Sequence, residues 1–389
     1  MNLFETKLPE KRLHPSFRQI KQDPGAGPVR EVIQSWAEGL LNRRGEQKKF
    51  VTEFQTTFNS AFWEIYLTRA FAELGFKVDY TKASPDFSVE CPSGYQFNVE
   101  AVISDRSQEP ARNPNQDQEA DFKLLNTLKL AGKIKDKRDI YLGQKGNKSP
   151  YSTLDHVKGR PFVIAVAPFN SDHSLMQNNE IINRVLFGIE APDQGSLLTG
   201  VQKKVSSVSK PSGAPVELAI FTNDSYKEIS AVVFSTTGTY GKAVVASGID
   251  RVVRSTRYRQ TRETASDLAD ARSNLGVSHR LEDPRDYRIS LRFVSQGLIA
   301  GSDVRICSSD RYQESHLDGL HIYYNPFADI PLNRAVFDAA EITHNWFDPE
   351  SGQPMHQHPD GALVSRQVFE PAPGMFEYLV AQFRNLYGI

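Results

Sequence analysis

The chain has 389 residues, with 46 basic against 47 acidic side chains, a formal net charge of −1 and 2 cysteines. A balance so near neutral excludes a global field that gathers nucleic acid, so any such surface has to be local; two cysteines, Cys91 and Cys307, exclude a disulfide framework and fit a reducing cytoplasm. The longest apolar runs fall far short of a membrane span and MNLFETKLPEKR has no signal-peptide core, so the expectation is a soluble cytoplasmic protein, long enough for one large α/β domain or about two to three domains.

Taken in order, residues 1–49 are polar and punctuated by Pro and Gly, with a short amphipathic piece at Val29 to Leu41, and read as an N-terminal extension wrapping the surface. A helix is expected from Phe54 to Phe76, stopped by Gly75, with Trp63, Leu67, Ala70 and Leu74 as its inner stripe. Glu64 stands inside the apolar run AFWEIYL, where an acid requires a reason: a task, or a place at the stripe's edge facing solvent. The stretch Ser84 to Val102 reads as a hairpin turning at Pro92-Ser93-Gly94, with Phe87, Val89, Cys91, Phe97 and Val99 on one face. Asp86 and Glu100 are equidistant from Ser93 and therefore face each other. Opposed residues bring their Cβ atoms to roughly 4.5–5.5 Å, which is destabilising for like charges unless a cation lies between them. Two hard carboxylate donors at that separation suit Mg²⁺ or Mn²⁺.

Pro85-Asp86 followed one hairpin later by Glu100 resembles the active-site signature of the PD-(D/E)xK nuclease superfamily. The resemblance implies a restriction-endonuclease-like fold, a mixed central sheet flanked by helices. It also implies a Mg²⁺-dependent endonuclease that hydrolyses phosphodiester bonds, with DNA a more natural substrate than RNA and bacterial restriction or phage defence as the setting. Asp86 and Glu100 would hold the ion, joined by the Ala101 carbonyl and by Glu64, which matches an acid that the family often carries on the preceding helix. The family's lysine belongs two residues after Glu100, where this chain has Val102. The competing reading is therefore a non-catalytic nucleic-acid-binding or complex-scaffold protein on a decayed nuclease core.

After a polar loop at residues 104–118, a second helix is expected from Glu119 to Tyr141, with Lys129, Lys133 and Lys137 recurring every fourth residue. This basic face is either plain solvated surface or a face on the substrate, with Lys137, and after it Lys133, supplying the charge that Val102 cannot. Lys137 to Tyr141 resembles the Q-x-x-x-Y helix element of some family branches, with Lys in place of Gln; on that reading Lys129 and Tyr141 touch nucleic acid. Strands are expected within 159–169 and at 217–221 and 230–235, a short helix at 178–188, and a mobile loop or linker at 191–215.

Between Arg251 and Arg292 ten arginines stand against six acids, with Tyr258 and Tyr287 among them. Arginine with aromatics suits phosphate and base contact by Arg251, Arg254 and Arg257; the alternative is a helical insertion laced with surface ion pairs. A strand follows at 320–332, resembling a segment that such nucleases carry near their C-termini. His344, Asp348, His356, His358 and Asp360 lie in a Pro/Gly-rich stretch without cysteines, which reads as surface rather than a zinc site. The expected division is 1–49 extension, 50–190 nuclease core, 191–335 further strands with an insertion at about 250–318, and 336–389 a C-terminal segment. A homodimer or a defence-complex subunit would fit this layout, and no membrane partner is expected.

Overall fold

The computed structural model describes residues 1–43, 45–104, 118–145, 149–169, 179–190, 203–260, 277–295 and 298–387. The first helices are α1 (Pro15–Gln22), α2 (Gly27–Trp36), α3 (Glu38–Leu41), α4 (Gln47–Thr56) and α5 (Phe58–Glu73). Residues 1–49 are thus no loose wrapping. Phe17 and Ile20 on α1, and Val29, Ile33 and Trp36 on α2, recur at helical spacing and are buried in the main core. The helix expected from Phe54 onward is two helices, broken at Thr57 (φ −129°, ψ 50°). The Thr56 and Thr57 hydroxyls bond back to the carbonyls of Thr52 and Glu53, a habit that bends and ends helices. α5 is buried on nearly every side, so the expected stripe is only part of its contact surface.

The chain then forms β1 (Lys77–Val78), β2 (Phe87–Glu90), β3 (Gln96–Ile103), α6 (Gln118–Leu142), β4 (Phe162–Ala167) and α7 (Glu180–Phe187). Next come β5 (Ser207–Ser209), β6 (Pro215–Glu217), β7 (Ala231–Phe234) and α8 (Tyr240–Ala246). The remainder is β8 (Val252–Gln260), β9 (Val277–Asp283), β10 (Asp286–Ser295), β11 (Leu298–Ser308), β12 (His321–Tyr324), β13 (Thr343–Asp348), β14 (Gln353–Gln357), β15 (Leu363–Phe369) and α9 (Met375–Tyr387).

A mixed eight-stranded sheet runs β1-β2-β3-β4-β7-β12-β13-β14, parallel at β3–β4, β4–β7 and β12–β13 and antiparallel elsewhere. Its middle strands β4 and β7 are buried at every position, as a continuous apolar run in a two-sided sheet requires. Helices cover both faces. Phe97, Val99 and Val163 meet α1 to α5 on one, while Val102, Phe162 and Ile164 meet Leu130 and Ile134 of α6 and Ile182 of α7 on the other. The protein is mixed α/β with a large central sheet flanked by helices.

Several expectations give way. The strand at 217–221 is displaced to β6, which pairs with β5 in a two-stranded ribbon within the expected mobile stretch, whose residues 191–202 lie outside the described residues. The strand at 320–332 is only His321–Tyr324. The arginine-rich window is no helical insertion: β15-β8-β11-β10-β9 form a second, antiparallel sheet, and the part at 261–276 lies outside the described residues. β10 alternates Tyr287, Ile289 and Leu291 with arginines and a serine, and that period of two decides for strand. This sheet departs between β7 and β12, which are neighbours in the first sheet, and takes its edge strand β15 from the C-terminal segment. The histidine-containing stretch is not plain surface either, since β13 and β14 extend the first sheet and half-bury His344 and His356. Among the described residues no helix is long and apolar enough to cross a membrane.

Candidate active site

The hairpin has the register that its turn residues dictate. Gly94 takes φ 79° and donates its N–H to the Cys91 carbonyl at 2.8 Å, a turn that a side chain would strain. Phe87 pairs with Val99, so Asp86, immediately before β2, faces Glu100. Crossed hydrogen bonds lock the two together. The Ala101 N–H donates to Asp86 Oδ2 at 2.8 Å, and the Asp86 N–H donates to Glu100 Oε2 at 3.4 Å.

Glu100 points to the α6 face of the sheet, two residues before Val102, and there Lys137 Nζ donates to Glu100 Oε1 at 2.6 Å. Val102 packs with Leu130 and Ile134 of the same helix. The apolar residue at the family's lysine position thus helps to seat the helix whose lysine reaches the carboxylate. Burial, and then the facing Asp86, push the Glu100 carboxyl up to about 7, with Lys137 opposing. Burial alone would lower the Lys137 ammonium; Glu100 and Asp86 together outweigh it, and its pKa ends above the ordinary lysine value.

Glu64, on α5, is the third acid. Burial and then Asp86 push its carboxyl up to about 8, with Arg43 opposing, and Arg43 Nη1 lies 3.5 Å from Glu64 Oε2. Arg43 Nη2 also donates to the Asp86 carbonyl. Two neighbours complete the surround. The buried Tyr151 phenol is pushed up to about 12 by burial and then by Glu100, and an imidazole nitrogen of His156 lies 2.8 Å from the Ser84 carbonyl oxygen. Scans of family models, curated proteins and solved structures returned no match to this chain.

The structure therefore brings Asp86, Glu100, Lys137, Glu64 and Ala101 together and leaves the other expected contacts elsewhere. Lys133, one turn before Lys137, makes no ion pair among the described residues. Lys129 is half-buried farther back along α6. Tyr141 stacks on Phe162 at 4.5 Å, as part of the α6-side packing. Arg251 pairs with Glu370, and Arg257 grips Asp318 at 2.8 and 3.2 Å. Arg254 lies over the rings of Phe369 and Phe383. All three belong to the second sheet or its approach, and their contacts do not include the carboxylates. Of the polar loop expected at 104–118, residues 105–117 lie outside the described residues.

Arg43 and Tyr151 were missed. Neither has a local pattern, because one follows a single-turn helix and the other opens a short loop turn after α6. No group of three or more His, Cys, Asp or Glu among the described residues is arranged to hold a metal. The pair of hard carboxylates still fits Mg²⁺ or Mn²⁺, which accept one or two protein carboxylates and fill the remaining positions with water and phosphate. The charge balance fits as well, with three acids set against the two cations Arg43 and Lys137. The Ala101 N–H meets Asp86 on the β2 side; a strand residue's carbonyl points the same way as its N–H, so the Ala101 oxygen emerges beside the pair.

Proposed function

We propose that the chain is a metal-dependent nuclease with a restriction-endonuclease-like core, hydrolysing phosphodiester bonds of nucleic acid, DNA before RNA. The observation that carries this reading is the triangle of Asp86, Glu100 and Lys137, a facing acid pair with an ammonium at 2.6 Å on the sheet face of Val102. Asp86 and Glu100 would hold Mg²⁺ or Mn²⁺ with the Ala101 carbonyl, and Glu64 would complete the set. The bound ion would supply an acidified water and charge neutralisation at the phosphate. Lys137 stabilises the negative charge that gathers on the phosphate oxygens, in place of the lysine missing at Val102. A cleft of about 710 Å³ lies along the outer part of the hairpin, lined by Ser88, Glu90 and Gln96 with both cations (Lys77, Lys82, Arg160) and acids (Asp79, Asp155), and does not reach Asp86, Glu100 or Lys137.

Val102 favours a second reading, a nucleic-acid-binding protein without catalysis. One experiment separates the two. The chain is incubated with plasmid, single-stranded DNA and RNA under Mg²⁺, Mn²⁺ or EDTA. Cleavage that EDTA abolishes supports the nuclease; binding without cleavage, indifferent to metal, supports the module.

A further inference from the structure

Arg43 is held in a pocket made for it. Leu40 and Leu41 anchor the single turn of α3 in the core, and the chain delivers Arg43 just beyond it. A Cβ on Gly39 would lie 2.4 Å from the Tyr80 ring, so the absence of a side chain there is what lets Tyr80 close over α3. The guanidinium carbon then sits 5.8 Å from the Tyr80 ring centre and 5.7 Å from that of Phe87. From this aromatic seat one nitrogen reaches Glu64 on α5 and another the Asp86 carbonyl on the hairpin. Arg43 Nε is buried with no partner among the described residues.

We propose that Arg43 is a positioning residue of the site: by bridging Glu64 to the Asp86 main chain it sets the spacing of the third carboxylate from the facing pair, and with it the affinity for the divalent ion. The inference rests on the reading that Asp86 and Glu100 hold such an ion. It makes the N-terminal helices part of the active site, since they alone deliver Arg43. Glu64 has no other ion-pair partner among the described residues.

The test is Mn²⁺ titration calorimetry on the full chain, comparing wild type with Arg43→Gln, Arg43→Lys, Glu64→Gln and the Arg43→Gln/Glu64→Gln double variant, with thermal unfolding in parallel. Partners that orient metal ligands are worth about 10–100-fold in affinity. Arg43→Gln is expected to weaken Mn²⁺ binding by that factor, and the double variant no further than the weaker single one, because both act through one contact. Arg43→Lys keeps the charge but cannot span both partners, so it also weakens binding. Cleavage should fall more at limiting than at saturating Mn²⁺. Wild-type Mn²⁺ affinity in Arg43→Gln overturns the proposal, as do losses that add in the double variant or a lowered melting temperature without a change in affinity. Should Arg43→Gln fail to fold, wild-type affinity in Arg43→Lys overturns it instead. If the wild-type chain binds no Mn²⁺, the metal-site reading fails and this inference with it; if wild type binds and the variants bind equally, only the inference fails.

Discussion

Two of the protein's buried clusters of charge are built on opposite plans. At the hairpin, Glu64, Asp86 and Glu100 face Arg43 and Lys137. At the junction with the second sheet, Glu314 and Asp318 face Lys242, Arg257 and Arg366. The junction is saturated with short bonds. Lys242 Nζ donates to the carbonyls of Ser315 and Asp318 at 2.7 and 2.8 Å, and Arg366 holds Glu314 and the Thr237 carbonyl, the latter at 2.6 Å. The Arg366 guanidinium lies against Gly241, in space that a Cβ there would share. Burial pushes the Lys242 ammonium down to about 8. At the hairpin it is the acids that shift, with Glu100 driven up to about 7 and Glu64 to about 8, while both clusters mix short contacts with long ones, 2.6 to 3.5 Å at the hairpin and 2.6 to 3.7 Å at the junction. Burial of charge is common to both. What separates them is the balance: three acids against two cations at the hairpin, two acids against three cations at the junction.

Breaking each cluster should therefore fail in different currencies. The largest effect is expected from Glu100→Ala or Asp86→Ala, which should each abolish metal-dependent cleavage; in Asp86→Ala the metal-free melting temperature should hold or rise, because one of two opposed carboxylates is gone, whereas Glu100→Ala also leaves Lys137 without its partner and should lower it. Cleavage surviving in either purified variant refutes the assignment. Glu314→Ala should do the reverse. It leaves Arg366 and Lys242 buried without their partner and should cost about 3–5 kcal/mol in urea unfolding, with Mn²⁺ affinity unchanged in the protein that remains folded.

Lys137→Ala should slow cleavage by about 10²–10³-fold, the usual loss for one donor at a charged transition state, with Mn²⁺ binding nearly intact. Adding Val102→Lys should restore part of that rate; wild-type rates in both Lys137→Ala and Lys133→Ala would return α6 to being a basic surface.

The smallest effect is a pH dependence of stability. Glu100's folded pKa of about 7 lies above its unfolded value, so its contribution is present at low pH and lost as pH rises through about 7. The metal-free wild type should lose on the order of 1 kcal/mol from this group between pH 5 and 8, and Glu100→Gln should not. His321 and His356, pushed down by burial to about 3 and about 4, act in the opposite sense. Their contribution is present above about 6.5 and lost as pH falls toward those values, so acid unfolding should be blunted in His356→Gln.

The hairpin was legible because its information is local. A Pro-Ser-Gly turn fixes the register, and register alone makes Asp86 face Glu100. Lys137 was legible because a helix repeats its face every fourth residue and Val102 left a charge to be supplied. Arg43 was not legible, since its partners are Glu64 and Asp86, brought to it only by the packing of α3, α4 and α5. The second sheet carried a readable signal in the alternation of Tyr287, Ile289 and Leu291, but a count of arginines gives no periodicity. Several of those arginines proved to be held within the fold: Arg251 by Glu370, Arg257 by Asp318, Arg259 by Asp303. The break at Thr57 was hidden because the apolar spacing runs on across it and only the hydroxyl bonds reveal the end of α4.

The second sheet closes on β15, which pairs with β8 across a long sequence separation, and α9 follows directly to pack on its core through Leu379. During synthesis β8 to β11 emerge first, and β8 waits with a bare row of amide and carbonyl groups until residues 363–369 arrive. An unpaired edge of that length is a template for pairing with other chains. Loop closure over such a span is also slow compared with formation of the neighbouring hairpins. The last strand thus acts as a latch, and a ribosome that stalls before it would release a chain whose first sheet can form around a second that recruits its neighbours.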